Sequence, residues 1–343
     1  MELKFLSVGC GDGIIIRFLG NDNRYHNIII DGGTEKGDVY ENTLKPEIRK
    51  IIDRKEIIDL WIISHIDDDH IGGLLKFIND THLIEDVNLK ETVFWYNWYE
   101  SDYEILSKDS ILLSDKQSSR LKDYLTENSI AVNNNILAGK RIDFYGLEMM
   151  SLSPIESPSE VVSKNHDTTT LLGGKVEADW DKKIEDFDLD QFEEDSKKLH
   201  RHCIALFLNY NNKNILLSSD SYPSILIESL RNLGYDTKNK LDLEILQLAH
   251  HGSRFNTSLE FLQIINCKKF IISADGYNKY NLPNKETIVR ILNTSEYPVE
   301  VYITHKNDIT ESLFEVDDDI IKTKVSLLFP ERFFNFLSFK IKV

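Results

Sequence analysis

The sequence predicts a layered α/β protein in which helices cover the outer faces of β-sheets. Three observations carry this. Short apolar runs and segments of helical periodicity alternate in both halves of the chain. Many of the apolar runs end in Gly, Asn or Asp, as strands entering tight turns do. Finally, 343 residues with 41% hydrophobic and 28% charged side chains suffice for a packed core, in one large domain or two ordinary ones.

Taken in order, residues 3–8 and 13–19 are apolar runs separated by Gly9, Gly11 and Gly13, and IIID at 28–31 is a third, closed by Gly32-Gly33. Apolar residues recur at helical spacing from Leu44 to Arg54, and LWIIS then reads as a buried strand. DHIGGLLKFI is a helix opening after a loop, VFWYN at 93–97 a strand, and 114–128 a helix. Residues 142–152 have strand patterning, and 155–174 are rich in Ser, Thr and Asn. Between Val176 and Asp195, Asp and Glu dominate, with Trp180, Ile184, Phe187, Leu189 and Phe192 near the spacing of an amphipathic helix. This reads as a solvated helix or flexible insertion in preference to an acidic interaction surface. IALFLNY and NILLSSD form a hairpin turned by Asn211-Asn212. A helix at 223–233, LEILQLA, a helix at 257–265, KFIISA, a helix at 284–293 and VEVYIT continue the alternation. The stretch from Thr294 adds strands that complete the sheet, or form a dimer contact.

With 40 Lys+Arg against 57 Asp+Glu the net charge is −17, which disfavours a sequence-blind nucleic-acid binder held by phosphate contacts. Lys268, Lys269, Lys279, Lys285 and Arg254 are the residues available for a local basic rim. Cys10, Cys203 and Cys267 stand far apart and indicate neither a disulfide framework nor a thiolate zinc site. The opening residues lack a basic-then-apolar leader, and no run of about 18 apolar residues occurs. A cytoplasmic protein with no membrane association is the expectation.

The densest chemical signal is Ser64-His65-Ile66-Asp67-Asp68-Asp69-His70-Ile71-Gly72-Gly73, placed where a strand ends and a helix begins. Three successive carboxylates there repel one another unless a cation is present, and flanking imidazoles complete a mixed N/O ligand shell. Helix capping accounts for one Asp but not for the two histidines. Ser218-Ser219-Asp220 and His250-His251-Gly252-Ser253 end two further strands, and Asp31 ends a fourth, where it orients a ligand or a turn.

The order IDGG, SHIDDDHIGG, LLSSD, AHHGS resembles the metallo-β-lactamase superfamily of metallo-hydrolases, most nearly the branch related to the soluble domain of the competence protein ComEC. The resemblance spans residues 1–293, with 175–198 as an acidic insertion and 294–343 as C-terminal strands on the same domain. It implies a four-layer αββα sandwich with two divalent ions, Zn or Mn, at one edge between the sheets. It assigns His65 and Asp67 to one ion, Asp69, His70 and His250 to the other, and Asp220 as the bridge. His200 and His202 stand where relatives have a polar segment, and either is a candidate further ligand. Asp68 falls at the variable position of the motif and should face solvent. Leu282 replaces a His that relatives carry before Pro. The implied reaction is attack by a metal-bridging hydroxide, oriented by Asp69, with His251 or a metal-bound water donating a proton to the leaving group and Ser253 contacting an anionic substrate. A small phosphodiester or nucleic acid is the expected substrate, with a carboxyl ester, lactone or thioester as the alternative and a non-catalytic interaction module as a third reading; a protein partner is compatible with this branch.

Overall fold

The protein, described here by a computed structural model over residues 1–97, 113–156 and 177–342, folds as two β-sheets packed face to face between two helical layers. The Ser/Thr/Asn-rich stretch from 157 onward and the first residues of the acidic insertion, 175 and 176, lie outside the described residues.

The strands in chain order are β1 Glu2–Leu6, β2 Gly13–Leu19, β3 Tyr25–Asp31, β4 Leu60–Ile63, β5 Val93–Tyr96, β6 Ala131–Asn133, β7 Arg141–Phe144, β8 Leu147–Ser153, β9 Ala205–Tyr210, β10 Lys213–Leu217, β11 Leu241–Leu243, β12 Ile245–Gln247, β13 Ile265–Cys267, β14 Lys269–Ile272, β15 Val299–Ile303, β16 Val325–Leu328 and β17 Phe336–Lys340. One sheet runs β17-β1-β2-β3-β4-β5-β6 and the other β16-β15-β14-β12-β10-β9-β8-β7, while β11 and β13 pair separately.

Side-chain alternation explains the layering. Ile14 pairs with Ile30, and Ile16 with Ile28; all four face the interior between the sheets, where Ile215, Leu217, Ile245 and Ile271 meet them from the other sheet. The intervening residues point the other way. Ile15, Ile29, Trp61 and Phe94 pack against Leu44, Ile48 and Ile51 of the helix Leu44–Asp53 and Leu74, Leu75 and Phe77 of the helix Asp68–Ile78. Leu216, Leu246, Phe270 and Val301 pack against the helices Pro223–Asn232, Leu259–Gln263 and Lys285–Thr294. The central strands are therefore apolar on both faces, which is why runs such as IIID and LWII read as continuous rather than alternating.

Two expectations change. LEILQLA is not one strand: Glu244 breaks it, and β11 leaves the large sheet to pair with β13. Residues 177–197 contain no α-helix, only a 3₁₀ turn at Ile184–Asp186, because their polar groups are spent on neighbours instead of on helical bonds. Asp179 accepts from the amides of Lys285 and Glu286 at 2.9 and 3.0 Å, capping the helix Lys285–Thr294, and Trp180 donates to Pro283 O at 2.9 Å. The C-terminal strands divide between the sheets: β16 extends one beside β15, and β17 crosses to pair with β1 in the other. No helix among the described residues is long and apolar enough to cross a membrane.

Candidate metal centre

The strands β3, β4, β10 and β12 deliver their carboxyl ends to one edge of the sandwich, and the antiparallel strands β2 and β9 begin there. The segments Asp12, Asp31, His65–His70, His200, Asp220 and His250–His251 consequently converge from both sheets. Close packing holds the loop in register. His70 O accepts from the Gly32 amide at 2.8 Å, and a Cβ on Gly73 would lie 1.8 Å from Gly32 O, so the GG of each motif is where the helix Asp68–Ile78 passes the end of β3.

Asp220, buried to 2% exposure, divides the cluster. Its Oδ2 lies 3.6 Å from His65 Nε2 and 3.3 Å from His200 Nε2, and Asp67 Oδ2 is 3.4 Å from each of those nitrogens. Its Oδ1 lies 3.5 Å from His70 Nε2 and 3.7 Å from His251 Nε2, and Asp69 Oδ2 is 3.9 and 3.1 Å from those two. Donors bound to one ion at about 2.0–2.1 Å with tetrahedral angles sit about 3.3–3.4 Å apart, which the first group matches closely and the second brackets. His65 Nε2, His70 Nε2, His200 Nε2 and Asp220 Oδ1 are buried without a hydrogen-bond partner among the described residues. Four such atoms facing two small volumes fit a pair of cations and are costly otherwise.

The opposite ring nitrogens are held from behind. His70 Nδ1 is 2.9 Å from Asp31 Oδ2, and Asp31 also accepts from Ser64 N and Oγ at 2.8 and 2.6 Å. Ser64 Oγ lies 3.1 Å from His65 Nδ1. His200 Nδ1 is 2.5 Å from Asp195 Oδ2. These contacts fix each ring with Nε2 toward Asp220. Asp12, His70, Asp220 and His251 also have ligand-like spacing, as do Asp195, His200 and His250, whose Nδ1 atoms are already engaged. The latter group supports imidazoles.

Electrostatics follow the burial. Desolvation followed by the charge of His70 lowers the His65 pKa, keeping that imidazole neutral as a ligand must be. Burial opposes the charged form of His70, but the Asp220 and Asp31 carboxylates outweigh it and raise its pKa well above the usual value. Burial also opposes ionisation of Asp69, and its bond to His251 with the charge of His70 prevails, lowering its pKa to about 2.

The structure redistributes several sequence-derived roles. The histidine beside Asp69 and His70 is His251, not His250, because His250, His251 and Gly252 all adopt left-handed backbone angles (φ 48°, 57° and 79°), turning the second imidazole inward. His251 is thus 2% exposed, with its Nε2 directed at Asp69 and Asp220. His250 stays 21% exposed, with Nδ1 2.9 Å from Asn256 Oδ1 and Nε2 3.9 Å from Asp220 Oδ2. Of His200 and His202, His200 joins the cluster; His202 stands in none of the ligating groups, its charged neighbours being Arg201 and Glu156. Ser253 is buried, donates its amide to His250 O at 2.9 Å and accepts from the Phe255 amide at 3.2 Å, so it ties the turn. Asp68 does not face solvent: it accepts from Thr34 Oγ1 at 2.5 Å and Gln117 Nε2 at 2.6 Å. Of the residues available for a basic rim, Lys285 is buried on Asp317 and Lys269 pairs with Glu244 at 2.6 Å.

Three contributors were not singled out from sequence. Asp12, in the turn before β2, is buried on the Nδ1 side of both His70 and His251, 3.9 Å from each. Asp195 ends the acidic run, and Lys197 follows it with its ammonium on Asp67. The GCGDG turn at an apolar strand start was the available signal for Asp12; the other two are masked by the charge around them.

No family model matches the chain, and no curated protein does. Among solved structures, the diiron β-hydroxylase CmlA from Streptomyces venezuelae is 9% identical with a TM-score of 0.44, over 99% of this chain and 54% of that one. The chain thus spans about half the length of that protein. Zinc-bound PqqB from Methylobacterium extorquens is 9% identical (TM-score 0.42; 99% and 100% covered), and a diphosphatase of the PhnP family 11% identical (TM-score 0.41; 100% and 99% covered). The two candidate ligating groups stand on their own geometry.

Proposed function

We propose that this chain is a dinuclear metal-dependent hydrolase of the metallo-β-lactamase kind, related to the ComEC-like branch and acting on phosphodiesters. The observation that carries the reading is the division of Asp220: one oxygen serves His65, Asp67 and His200, the other His70, Asp69 and His251. Two divalent ions, Zn or Mn, held there supply Lewis acidity and a water acidic enough to act as nucleophile near neutral pH.

The chain's own groups do the rest. Asp31 and Asp195 hold His70 and His200 in the tautomer that leaves Nε2 free to ligate. His250 is the imidazole left at the rim. Asn256 accepts from its Nδ1–H, since the Asn256 amide nitrogen is turned to Asp195 Oδ2 at 3.1 Å, so Nε2 is bare in the neutral ring and holds a proton for a leaving group only in the imidazolium. Burial opposes its charged form, but Asp220 and then Asp195 raise its pKa to about 9, keeping it protonated before an ion binds. Lys197 places an ammonium beside the cluster, which suits an anionic ester better than an acyl chain.

The test is elemental analysis of purified protein followed by turnover of bis(p-nitrophenyl) phosphate, cyclic nucleotides, single-stranded DNA and RNA, and a panel of esters and lactones, with His65→Ala as background. Two equivalents of metal and His65-dependent phosphodiester turnover are expected. Turnover confined to esters or lactones refutes the substrate assignment.

A further inference from the structure

The sandwich edge gathers many carboxylates, yet among the described residues one Lys or Arg side chain contacts those that would ligate metal: Lys197, whose ammonium rests on Asp67 Oδ2. That oxygen is the one 3.4 Å from both His65 Nε2 and His200 Nε2. The lysine is aimed there by its backbone. Its amide donates to Asp195 Oδ1 at 2.9 Å, and its carbonyl accepts from Tyr222 Oη at 3.0 Å. Asp195 is itself fastened, through its amide to Phe255 O at 3.1 Å and its carboxylate to His200. The side chain is 46% exposed, so the ammonium approaches Asp67 from the solvent side of the cluster, where a substrate must enter.

We propose that Lys197 is the substrate-anion contact of this centre, binding a non-bridging phosphoryl oxygen beside the His65–Asp67–His200 group. The proposal rests on the phosphodiesterase reading and names the residue that selects an anionic ester over a neutral one. The lysine side chain is 46% exposed and that of Asp67 13%, so the pair sits at the boundary of the cluster and a second anion can reach the ammonium. Once a divalent ion shares the charge of Asp67, the pull on Lys197 weakens, while its three N–H donors remain. The position also resolves a difficulty posed by composition: in a chain of charge −17, one anchored cation at the mouth supplies the local attraction that a basic surface would otherwise provide.

The experiment compares wild type, Lys197→Met and Lys197→Arg as zinc-loaded proteins. Zinc content is measured first, inorganic phosphate binding by calorimetry second, and kcat and KM on bis(p-nitrophenyl) phosphate third. Expected for Lys197→Met are two retained zinc equivalents, phosphate binding and KM weakened about 10- to 100-fold, and a far smaller change in kcat, because a charge-assisted hydrogen bond made in both ground and transition states is lost. Lys197→Arg should recover most of the affinity. Phosphate affinity and KM within two-fold of wild type in Lys197→Met overturn the proposal, as does loss of a zinc equivalent, which would make the lysine a support of the metal group. If wild type binds phosphate through Lys197 but turns over no phosphodiester, the anion contact stands and the substrate reading fails.

Discussion

Replacing Asp220 by asparagine separates a shared ligand from an ordinary one. Its carboxylate faces imidazole nitrogens of His65, His70, His200, His250 and His251 at 3.6, 3.5, 3.3, 3.9 and 3.7 Å, with two on the Oδ1 side and three on the Oδ2 side. Asparagine keeps the shape and removes the charge. Removing one partner of a buried charge pair costs about 3–5 kcal/mol, and even the lower figure, at about 1.4 kcal/mol per decade, weakens each cation about 10²-fold. The protein free of metal should still fold, because the histidines whose pKa values Asp220 raises can shed their protons once it is neutral. Chelator competition should show both equivalents weakened together in Asp220→Asn, whereas Asp67→Asn and Asp69→Asn each weaken one. Thermal melts should agree: at a fixed metal concentration that saturates wild type, a 100-fold loss of affinity removes about 2.7 kcal/mol of metal-dependent stabilisation per site. An Asp220→Asn protein retaining one equivalent at wild-type affinity would falsify the bridging assignment.

Asp68→Asn should keep two metal equivalents and lose about 1–2 kcal/mol of stability, since it breaks ties to Thr34 and Gln117 that join the loop to neighbouring elements; Asp69→Asn should lose one equivalent and about 10²-fold or more in turnover. Metal content and melting temperature on the same samples distinguish them. For pH, His70 and His251 have folded pKa values raised above 6.5 in the metal-free protein, after Asp220 and the other carboxylates outweigh burial, so their stabilisation is complete below about pH 6.5 and is lost as pH rises through the raised values. Asp69, lowered to about 2, contributes above its unfolded value of 3.8 and loses that contribution as pH falls toward 2. Metal must displace the histidine protons, so affinity for the second equivalent should increase from pH 6.5 upward, with proton release detectable by calorimetry in two buffers. Gly73→Ala should cost about 3 kcal/mol or more, because its Cβ would meet Gly32 backbone and neither segment can retreat.

The layering was legible because a strand buried on both faces leaves an unbroken apolar run, and IIID and LWIIS are such runs. The SHIDDDHIGG loop was legible because local sequence supplies most of its ligating atoms. What escaped is tertiary in origin. His250 and His251 are adjacent, and nothing in their order says which ring turns inward; three successive left-handed residues decide it. Asp68 and Asp69 differ likewise only in the side of the helix start they occupy, one reaching Gln117 and the other His251.

The stretch 177–197 was hardest to read, for a reason that bears on function. Its composition is that of a solvated segment, since acidic residues outnumber the apolar ones available to bury. Yet its acids are matched one at a time: Asp179 on a helix start, Glu194 on Ser224, Asp195 on His200. The first two matches span 106 and 30 residues and the third only five, and none leaves a periodic trace. The strap thereby fixes the chain just before β9, so that His200 enters the cluster already oriented and Lys197 stands over Asp67. A segment that only covered the surface could be shortened freely. One that orients a ligand through Asp195 cannot lose its last few residues without loosening the His65–Asp67–His200 half of the centre, while the half built on Asp69, His70 and His251 has no contact with it among the described hydrogen bonds.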